Sequence, residues 1–558
     1  MSSAGRLDAF RALANRCGRP GVRLTEALAG AAAGSPDGPE AWAPAVAGQF
    51  GLPAAAGLGP ATFYADLAAR HGRRHVRVCT AAACFAARAG RHLAEVENAL
   101  GVVVNGVDPQ AEVSLQGVRC LGYCYASPAC LDGDTPCTGP AVAAQLSGRA
   151  LPRAPSIPAA DVTGDPVVLA GVVAGETAWQ VWPETVNTRS REQVHAEVTT
   201  SGLRGRGGAG FPVAAKWAAA GGSPDTVVVA NGDEGDPGSY ADRLLMEDDP
   251  ERVLEGLALA CYACGAGRAV VLVRSEYPRA LARMRAAVDR AYAEGHLGRR
   301  VHGSDVDLDI QVVEGAGSYV AGEETALIAG LEGDRGCARP RPPYPTQRGL
   351  WDAPTVVNNV ETLAAVPWIV RRGGAAYARR GTRAETGTKL VCLSERFARP
   401  GCYEVEIGTS VLRIVTELGG GLREGAELSV LQVGGPLGGF LAPGRLDVPL
   451  TEAGLASCGA ALGHAGFVAF DQRVEPEEVL RHVWEFAEAE SCGACSPCRV
   501  GSRRGLELAS ADAPPGEEYA RLLRVMGQAS LCAFGRRVPA AVRSVARAYG
   551  DRLRRWDP

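Results

Sequence analysis

The sequence predicts a multidomain α/β protein, and three observations lead to that prediction. A chain of 558 residues is long enough for about three or four domains. Buried strands, glycine-rich turns and helices alternate between residues 166 and 394, a pattern typical of a parallel or mixed sheet. Two groups of cysteines with metal-ligand spacing lie outside that region, one on each side of it.

Composition excludes several classes of function. The formal net charge of −4 lacks the basic excess that dominates nucleic-acid affinity, so no nucleic acid is expected as a partner. Proline and glycine interrupt the longest uncharged stretch, residues 41–65, and no secretory signal is visible. We therefore expect no membrane insertion and a cytoplasmic location. In the cytoplasm the 17 cysteines favour metal or redox roles over disulfides.

The chain divides into five predicted segments. They are a helical stretch with a small α/β unit over 1–150, a linker over 151–165, an α/β domain over 166–394, a small β-rich domain over 395–474 and a helical bundle over 475–558. The linker is predicted because its residues are rich in Pro, Ala and Ser and lack apolar periodicity.

Local patterns predict the elements inside these segments. The small α/β unit has a strand at 76–78, a helix over 81–100 and a strand-like run at 112–118. Apolar runs predict three buried strands in the larger domain, at 226–230, 269–273 and 308–313. Because ligands bind at the carboxyl ends of such strands, the polar loops that follow them are candidate site segments.

Four cysteines of the first unit have ligand spacing. Cys79 and Cys84 form a C-x4-C pair, and Cys120 and Cys124 form a C-x3-C pair. Four thiolates on two loops suit a [2Fe-2S] cluster. A structural zinc site with the same ligands is the alternative, although zinc sites usually contain a tighter C-x2-C turn.

A second set of cysteines lies near the C-terminus. Cys492, Cys495 and Cys498 form C-x2-C-x2-C, and Cys532 follows at a distance. Three closely spaced thiolates plus one remote cysteine are the usual ligands of a [4Fe-4S] cluster. Zinc is again the alternative.

The remaining cysteines are not predicted to be cluster ligands. Cys130 and Cys137 are expected to be solvated loop thiols. Cys261 and Cys264 form C-x-x-C, but their apolar helical surroundings predict buried small side chains. Five cysteines have no partner at ligand spacing: Cys17, Cys337, Cys392, Cys402 and Cys458.

A glycine-rich loop precedes the first of the three strands. Gly205, Gly207 and Gly210 match the G-x-G-x-x-G pattern, but a helix-like segment precedes them where a dinucleotide fold has a strand. Glycines let backbone N–H groups approach a phosphate or a flat ring. Lys216, one of only two lysines in the chain, adds positive charge nearby. A flexible surface loop is the alternative interpretation.

Two acidic segments are expected to converge on this loop. Residues 231–238 (NGDEGDPG) end the first strand, and residues 314–324 (EGAGSYVAGEE) lead from the third strand into a helix. Their carboxylates suit ribose hydroxyls, a ring N–H or a water network near a flavin. A Mg²⁺ site and a solvated acidic loop are the alternatives.

Six motifs together carry a family resemblance. GLRGRGGAGFP, NGDEGDPGSYADR, GSYVAGEETALIAGLEG, RPRPPYP, PTVVNNVETL and ESCGACSPCR occur in this order. They resemble the NADH-oxidising flavoprotein subunit of respiratory complex I, a module also found in soluble NAD-linked hydrogenases and formate dehydrogenases. The first 150 residues resemble that family's thioredoxin-like [2Fe-2S] subunit, here fused in front. Such a fusion is more typical of the soluble diaphorase subunits.

The resemblance implies a fold, cofactors and an activity. It implies a thioredoxin-like ferredoxin domain, a Rossmann-like FMN/NADH domain, a β-grasp-like domain and a helical bundle carrying [4Fe-4S]. The implied cofactors are FMN, NAD(H), [2Fe-2S] and [4Fe-4S]. The implied activity is exchange of hydride between NAD(H) and FMN, with single electrons relayed through the clusters to or from a partner subunit.

The resemblance also implies site residues. The FMN cradle would comprise Gly205, Gly207, Lys216, Asn231, Asp233, Glu234, Tyr319, Gly322, Glu323, Asn358, Asn359 and Thr362. Contacts to the nicotinamide dinucleotide would come from Phe211, Lys216, Tyr319, Glu324 and Tyr344. Glu234 and Glu324 are the candidate catalytic residues, expected to tune the flavin and place NADH. The chain departs from the family at Ala219, often aromatic, at Asp236, often Glu, and at Arg341, often Lys.

No hydrogenase or molybdopterin centre is recognised in the sequence, so partner chains must perform the other half-reaction. We expect iron–sulfur and molybdenum or nickel catalytic subunits of a soluble complex, with formate preferred over hydrogen as the substrate. The complex I flavoprotein subunit is the alternative, and a non-catalytic metal-stabilised scaffold is a distant one.

Overall fold

The computed structural model describes residues 14, 23–33, 35–511 and 516–557. The predictions made for residues 1–13 and 15–22, including the one for Cys17, lie outside the described residues. No helix in the described ranges has both the length and the apolar character that crossing a membrane requires.

From residue 23 onward, the described N-terminal part has four helices followed by a five-stranded sheet. The elements are α1 (Arg23–Ala32), α2 (Pro39–Gln49), α3 (Ala54–Ala61), α4 (Ala65–Ala68), β1 (Arg74–Cys79), α5 (Ala82–Arg88), α6 (His92–Leu100), β2 (Gly106–Val107), β3 (Val113–Val118), β4 (Ala129–Asp132), β5 (Thr135–Thr138) and α7 (Val142–Leu146). The strand order is β2-β3-β1-β4-β5, and only the β1–β3 pair is parallel. The single helix predicted over 81–100 is two helices, because Ala89 and Gly90 adopt left-handed φ angles of 48° and 75° that end the first one.

A four-stranded parallel sheet forms the centre of the second part. Its segment contains β6 (Ala159–Asp161), α8 (Ala170–Ala174), α9 (Trp182–Thr188), α10 (Arg191–Ser201), α11 (Val213–Ala220), β7 (Val227–Gly232), α12 (Ala241–Asp248), α13 (Pro250–Cys264), β8 (Arg268–Val273), α14 (Pro278–Ala293), β9 (Asp309–Glu314), α15 (Glu324–Leu331), β10 (Thr355–Asn359), α16 (Val360–Arg372) and α17 (Gly374–Ala378). The order is β10-β7-β8-β9, with every pair parallel. The three predicted strands correspond to β7, β8 and β9.

A six-stranded mixed sheet forms the third part. It uses β11 (Thr388–Leu393), β12 (Gly401–Glu406), β13 (Leu428–Val433), β14 (Phe440–Leu441) and β15 (Gly466–Asp471), with the short helices α18 (Val411–Arg413) and α19 (Glu452–Ala456) between them. The order is β14-β13-β15-β11-β12-β6. The segment 151–165, predicted as a linker, therefore supplies an edge strand, and β11 also precedes the predicted start of this part at residue 395. A three-residue strand is too short to show a periodic pattern.

Four helices form the C-terminal part: α20 (Pro476–Ala489), α21 (Ser496–Ala509), α22 (Glu517–Ala529) and α23 (Ala533–Tyr549). Two of the predicted cluster cysteines stand at helix starts, because Cys495 directly precedes α21 and Cys532 directly precedes α23. The buried indole of Trp484 packs against Gly505, where a β-carbon would lie 2.2 Å from the ring. This contact brings α20 and α21 close together.

Candidate flavin, nucleotide and iron–sulfur sites

The glycine-rich loop packs against the carboxyl end of β10 and the start of α16. The backbone N–H of Arg206 donates to Thr362 Oγ1 at 2.8 Å. A β-carbon at Gly207 would lie 3.0 Å from the β-carbon of Asn359, so any side chain here would require Asn359 to shift by a few tenths of an ångström. Gly205 donates its N–H to the carbonyl of Phe211 at 2.9 Å and closes the loop on itself.

Hydrogen bonds of asparagine side chains hold the polar ends of β7 and β10 in place. Asn231 Nδ2 donates to the Gly322 carbonyl at 2.8 Å, and Asn231 Oδ1 accepts the Asp233 N–H at 3.0 Å. Trp217 Nε1 donates to Asn358 Oδ1 at 2.8 Å. The bond to Gly322 joins the end of β7 to the segment before α15, so the two acidic segments that the sequence predicts to converge do meet, and the bond from Trp217 joins α11 to β10.

Asn359 and Asp233 lie at the carboxyl ends of β10 and β7, in the group of segments that we call the cleft, residues 205–216, 231–236, 319–324 and 358–362. Asn359 Oδ1 accepts the Thr362 N–H at 3.1 Å and so caps α16, while its Nδ2 donates to Asp242 Oδ2 at 2.5 Å. Burial raises the pKa of Asp233 to about 7, with nearby Glu276 adding to the effect. Asp233 can therefore hold a proton near neutral pH.

An ion-pair network forms the rim of the cleft. Lys216 Nζ lies 2.9 Å from Glu324 Oε2. Arg341 Nη1 lies 2.8 Å from Glu324 Oε1, and the same guanidinium pairs with Glu323. Glu323 also accepts the N–H groups of Thr325 and Ala326 and caps α15. Two carboxylates and two cations thus face one another at the entrance.

Two exposed aromatic residues stand close to this network along the chain, Phe211 five positions before Lys216 and Tyr344 three positions after Arg341. Phe211 is 51% exposed and Tyr344 is 52% exposed, which is unusual for large apolar side chains. Lys216 Nζ lies 6.0 Å from the centroid of the Phe211 ring. Exposed flat rings beside cations suit a ligand that carries both aromatic rings and phosphates.

Glu234 lies behind the cleft, away from the rim. It is fully buried, and its carboxylate accepts the Ser239 hydroxyl at 2.6 Å and the N–H groups of Asp242 and Arg243 at 3.1 and 3.0 Å. These hydrogen bonds hold the Glu234 carboxylate at the start of α12. The two candidate catalytic carboxylates therefore do not sit together: Glu324 is at the rim and Glu234 is in the interior.

Tyr319 connects the cleft with the C-terminal helices. Its hydroxyl donates to Asp236 Oδ1 at 2.5 Å, and its backbone N–H donates to Glu490 Oε2 at 2.9 Å. Its ring meets Phe486 edge-on, with 5.0 Å between centroids. Glu490 stands two residues before Cys492, so one tyrosine contacts both predicted redox regions.

The four N-terminal ligand candidates converge in the interior. Cys79, Cys84, Cys120 and Cys124 are all buried. Cys120 Sγ lies 3.4 Å from Cys124 Sγ, and the Cys79 and Cys84 thiols are hydrogen-bonded to each other. The Gly122 N–H points at Cys120 Sγ at 3.4 Å. Four buried sulfurs with a backbone donor fit a [2Fe-2S] cluster.

The four C-terminal candidates also form one group. Cys498 is buried, and Cys492, Cys495 and Cys532 are half-buried. The Leu531 N–H points at Cys495 Sγ at 3.4 Å. Cys495 and Cys532 stand at the N-cap positions of α21 and α23, where the positive ends of the helices lie. The set fits a [4Fe-4S] cluster close to the surface.

The loop carrying Cys120 and Cys124 packs directly behind the cleft. A β-carbon at Gly122 would lie 2.5 Å from the Tyr277 ring. Arg243 Nη1 donates to the Gly122 carbonyl at 2.9 Å, and the Arg243 guanidinium lies 3.8 Å from the Tyr123 ring centroid. The Tyr277 hydroxyl contacts Glu234 Oε2 at 3.3 Å. A few side chains therefore separate the first cysteine group from the cleft.

Three regions match known sequence families. Residues 198–368 match the Nuo51 FMN-binding domain. Residues 38–139 match the thioredoxin-like [2Fe-2S] ferredoxin family, and residues 478–555 match the iron–sulfur binding region of NADH-ubiquinone oxidoreductase F. The three matches contain the cleft and both cysteine groups.

Known proteins are similar to large parts of this chain. The NADP-reducing hydrogenase subunit HndC of Solidesulfovibrio fructosivorans is 38% identical over 374 residues, which are 66% of this chain and 76% of that protein. The chain belongs to the family of NADH-oxidising FMN and iron–sulfur flavoprotein subunits. The NADH-quinone oxidoreductase F protein of Escherichia coli K12 is 37% identical over 61% of this chain and 78% of its own length. The H2-reduced NAD+-reducing [NiFe]-hydrogenase structure superposes with a TM-score of 0.82 at 29% identity, covering 92% of this chain and 90% of that chain.

Family membership confirms the cofactor and activity predictions for this flavoprotein subunit. It is an NAD(H)-linked oxidoreductase with FMN, [2Fe-2S] and [4Fe-4S] as cofactors. The zinc alternatives for the two cysteine groups are not needed. Within the described ranges, one trio of possible cation ligands converges to within 4.8 Å, Glu234, Asp242 and His464. Its two carboxylates already accept protein donors, which weakens the Mg²⁺ alternative.

Two cysteine predictions for the flavoprotein subunit are wrong. Cys130 and Cys137 are not solvated, because they are cross-strand partners on β4 and β5 and both are buried. Cys392 and Cys402, predicted to be isolated, pair across β11 and β12 in the same way. These pairings depend on hairpin strands whose short runs give no clear sequence signal.

The structure also identifies residues that sequence reasoning missed. Cys337, predicted to have no partner, donates its thiol to the Cys492 carbonyl at 3.3 Å. His464 Nε2 lies 3.8 Å from Asp236 Oδ2. Neither contact has a local sequence signal, because each joins segments more than 100 residues apart. Cys261 and Cys264 are buried in α13, as predicted.

Proposed function

We propose that this flavoprotein subunit is the diaphorase of a soluble NAD-linked hydrogenase. The observation that carries the proposal is the end-to-end match with a chain of the NAD+-reducing [NiFe]-hydrogenase, over 92% of this chain and 90% of that one. The match to the quinone-linked relative from Escherichia coli covers only 61% of this chain. The fused N-terminal part therefore favours a hydrogenase complex over complex I. Hydrogen, in place of formate, is then the substrate proposed for the partner subunits.

The FMN cradle in this proposal lies in the cleft. When bound, the FMN isoalloxazine accepts hydride from NADH and releases electrons one at a time. The glycine-rich loop offers backbone N–H groups at close range, because Gly207 lets the loop pack tightly against Asn359. The proposed cradle residues are those implied by the family resemblance: Gly205, Gly207, Lys216, Asn231, Asp233, Tyr319, Gly322, Glu323, Asn358, Asn359 and Thr362. Glu234 supports the cradle from behind.

NADH in this proposal enters over the rim. Phe211 and Tyr344 offer exposed ring faces for the bases, and Lys216 offers its ammonium to a phosphate or a polar edge. Glu324 holds Lys216 in place at 2.9 Å and orients it toward the cleft. The chain therefore contributes positioning and electrostatics to hydride exchange, with no side chain needed as a proton donor.

Electrons in this proposal leave through the two cysteine sites. Tyr319 packs between the cleft and the helices that carry Cys492, Cys495, Cys498 and Cys532, so these cysteines are the proposed exit. Cys79, Cys84, Cys120 and Cys124 are the proposed ligands of the second cluster, behind α12. The proposal includes a cytoplasmic location, a Rossmann-like central domain and a β-grasp-like third domain.

Metal analysis of the native complex tests the proposed partner. The complex is isolated anaerobically through an affinity tag on this subunit, and its metals are measured. Nickel together with iron is the expected result. Molybdenum or tungsten with iron would identify a formate dehydrogenase instead, and iron alone with membrane subunits would identify complex I.

A further inference from the structure

A fifth cysteine lies beside the C-terminal ligand candidates. Cys337 belongs to the segment between α15 and the rim of the cleft, and its thiol donates to the main-chain carbonyl of Cys492 at 3.3 Å. The Cys337 and Cys492 side chains also form a hydrogen bond with each other. Cys337 lies outside the C-x2-C-x2-C motif, 155 positions before Cys492.

The segment that carries Cys337 is fixed on both sides of that residue. Before it, the Asp334 carbonyl accepts the Tyr64 hydroxyl at 3.0 Å, and Arg335 Nε donates to the Gly59 carbonyl at 2.9 Å. After it, the Arg339 N–H donates to Thr325 Oγ1 at 2.8 Å. Anchored in this way, the Cys337 thiol has little freedom to turn away from Cys492.

Hydrogen bonds to ligand sulfurs are a known determinant of cluster potential. A donor at a thiolate stabilises the negative charge on the sulfur, and the reduced cluster carries more of that charge than the oxidised one. Groups that hydrogen-bond to a metal ligand also fix its orientation. The Cys337 thiol has one proton: donated to the Cys492 carbonyl it fixes the ligand residue, and turned to the Cys492 sulfur it also stabilises the charge of the reduced cluster.

We propose that Cys337 is a positioning residue that holds Cys492 and raises the reduction potential of the [4Fe-4S] cluster. This inference rests on the proposed assignment of Cys492 as a ligand. Cys337 itself is not a ligand, because four other cysteines complete the set.

An anaerobic redox titration of the intact protein tests the role of Cys337. The reduced [4Fe-4S] signal is followed by electron paramagnetic resonance in the wild type, Cys337→Ala and Cys337→Ser. We expect a shift to lower potential in Cys337→Ala and recovery of most of it in Cys337→Ser, whose hydroxyl still donates. The half-buried Cys458, in the third part of the chain, provides the matched control, and Cys458→Ala should leave the potential unchanged. The [2Fe-2S] signal should not change in any variant.

The outcomes distinguish a failure of the role proposed for Cys337 from a failure of the assignment of Cys492 as a ligand. An unchanged potential in Cys337→Ala, with a normal [4Fe-4S] signal, overturns the role of Cys337 alone. A [4Fe-4S] signal that survives in Cys492→Ala overturns the ligand assignment.

If Cys337→Ala fails to assemble a cluster, the contact is tested in cluster-free wild-type protein. Diamide, a diazene oxidant, takes two hydrogens from two thiols, forms one S–S bond and becomes a hydrazine. A Cys337–Cys492 cross-linked peptide, found by mass spectrometry, supports the contact, and its absence overturns the proposal.

Discussion

At the scale of single residues, the two lysines show how environment separates roles. Lys389 is fully buried and pairs with the buried Glu361. Lys216 pairs with Glu324 at the rim, where both side chains keep about a fifth of their surface exposed to solvent, at 22% and 20%. Lys389 has a structural role, because removing one partner of a buried ion pair leaves an uncompensated charge in the interior. Lys216 is partly solvated, so its cation is available to a ligand.

The first prediction concerns Lys216. Lys216→Met removes the rim cation and should lower kcat/KM for NADH roughly 10- to 100-fold, since a charge-assisted hydrogen bond contributes about 1.5–3 kcal/mol. Steady-state kinetics with an artificial electron acceptor, at equal FMN content, measure the effect. An unchanged kcat/KM would show that the rim is not the nucleotide entrance.

The second prediction concerns Lys389 and serves as a matched control. Lys389→Met leaves Glu361 buried without its partner and should lower the free energy of unfolding by about 3–5 kcal/mol. Chemical denaturation measures the loss. The folded fraction should keep its KM for NADH, and a raised KM with normal stability would contradict the structural role.

The sequence predicts the segments that form the cleft, but it does not predict the direction in which each side chain points. The end of β7 and the glycine-rich loop place Asn231 and Gly207 at one edge of a sheet, and pattern alone indicates this, whereas only the family resemblance indicates Asn359. Whether a carboxylate points into a cleft depends on tertiary donors. Glu234 turns inward because Ser239 and the start of α12 supply three donors, a feature no local pattern reveals.

At the scale of elements, the length of an apolar run determines whether the sequence alone predicts a strand. β7, β8 and β9 carry runs of apolar residues, and the sequence predicts them within about two residues. β10 has only Val356 and Val357 before two asparagines, and β6 has three residues in all, so neither is predicted. Both are edge strands of their sheets, and pattern alone leaves both of them out.

The third prediction concerns pH and strand β1. Burial lowers the pKa of His75 to about 4, and its ring nitrogens bond to Ser114 Oγ at 2.8 Å and Gln116 Oε1 at 2.9 Å. The unfolded chain binds a proton at His75 near pH 6.5, whereas the folded chain does so only near pH 4. Stability from this residue is therefore complete above about pH 6.5 and is lost as the pH falls toward 4.

Denaturation curves of wild type and His75→Gln test this prediction. Between about pH 7 and pH 5 the wild type should lose about 1–2 kcal/mol more unfolding free energy than His75→Gln, which cannot titrate there. Using the difference between two proteins cancels the contributions of the other buried histidines and carboxylates. Parallel losses in both proteins would contradict the assignment.

At the scale of the whole molecule, the first cysteine loop and the cleft form one packed unit. Arg243 joins them, because it pairs with Glu247 at 2.8 Å, both side chains being buried, and also reaches the Gly122 carbonyl. The two parts are separated by more than 100 residues in sequence, so family resemblance predicts both parts but not this contact.

The fourth prediction concerns Arg243. Arg243→Ala should slow reduction of the [2Fe-2S] cluster by NADH at least several-fold relative to the [4Fe-4S] cluster, because the loop loses its anchor. Freeze-quench electron paramagnetic resonance compares the two rates. Arg279→Ala is the control, since Arg279 also pairs with Glu247, at 3.4 Å, but is half-exposed. Equal slowing in both variants would contradict a specific role for the Arg243 contact.

The central claim is that this one chain passes electrons from NADH through a flavin to two iron–sulfur clusters. An anaerobic titration of the purified protein with NADH tests it most directly, followed by visible absorption and electron paramagnetic resonance. The account predicts that NADH bleaches the flavin band and that the signals of a reduced [4Fe-4S] and a reduced [2Fe-2S] cluster appear. Zinc in place of iron, or a flavin band that NADH leaves unchanged, would contradict it.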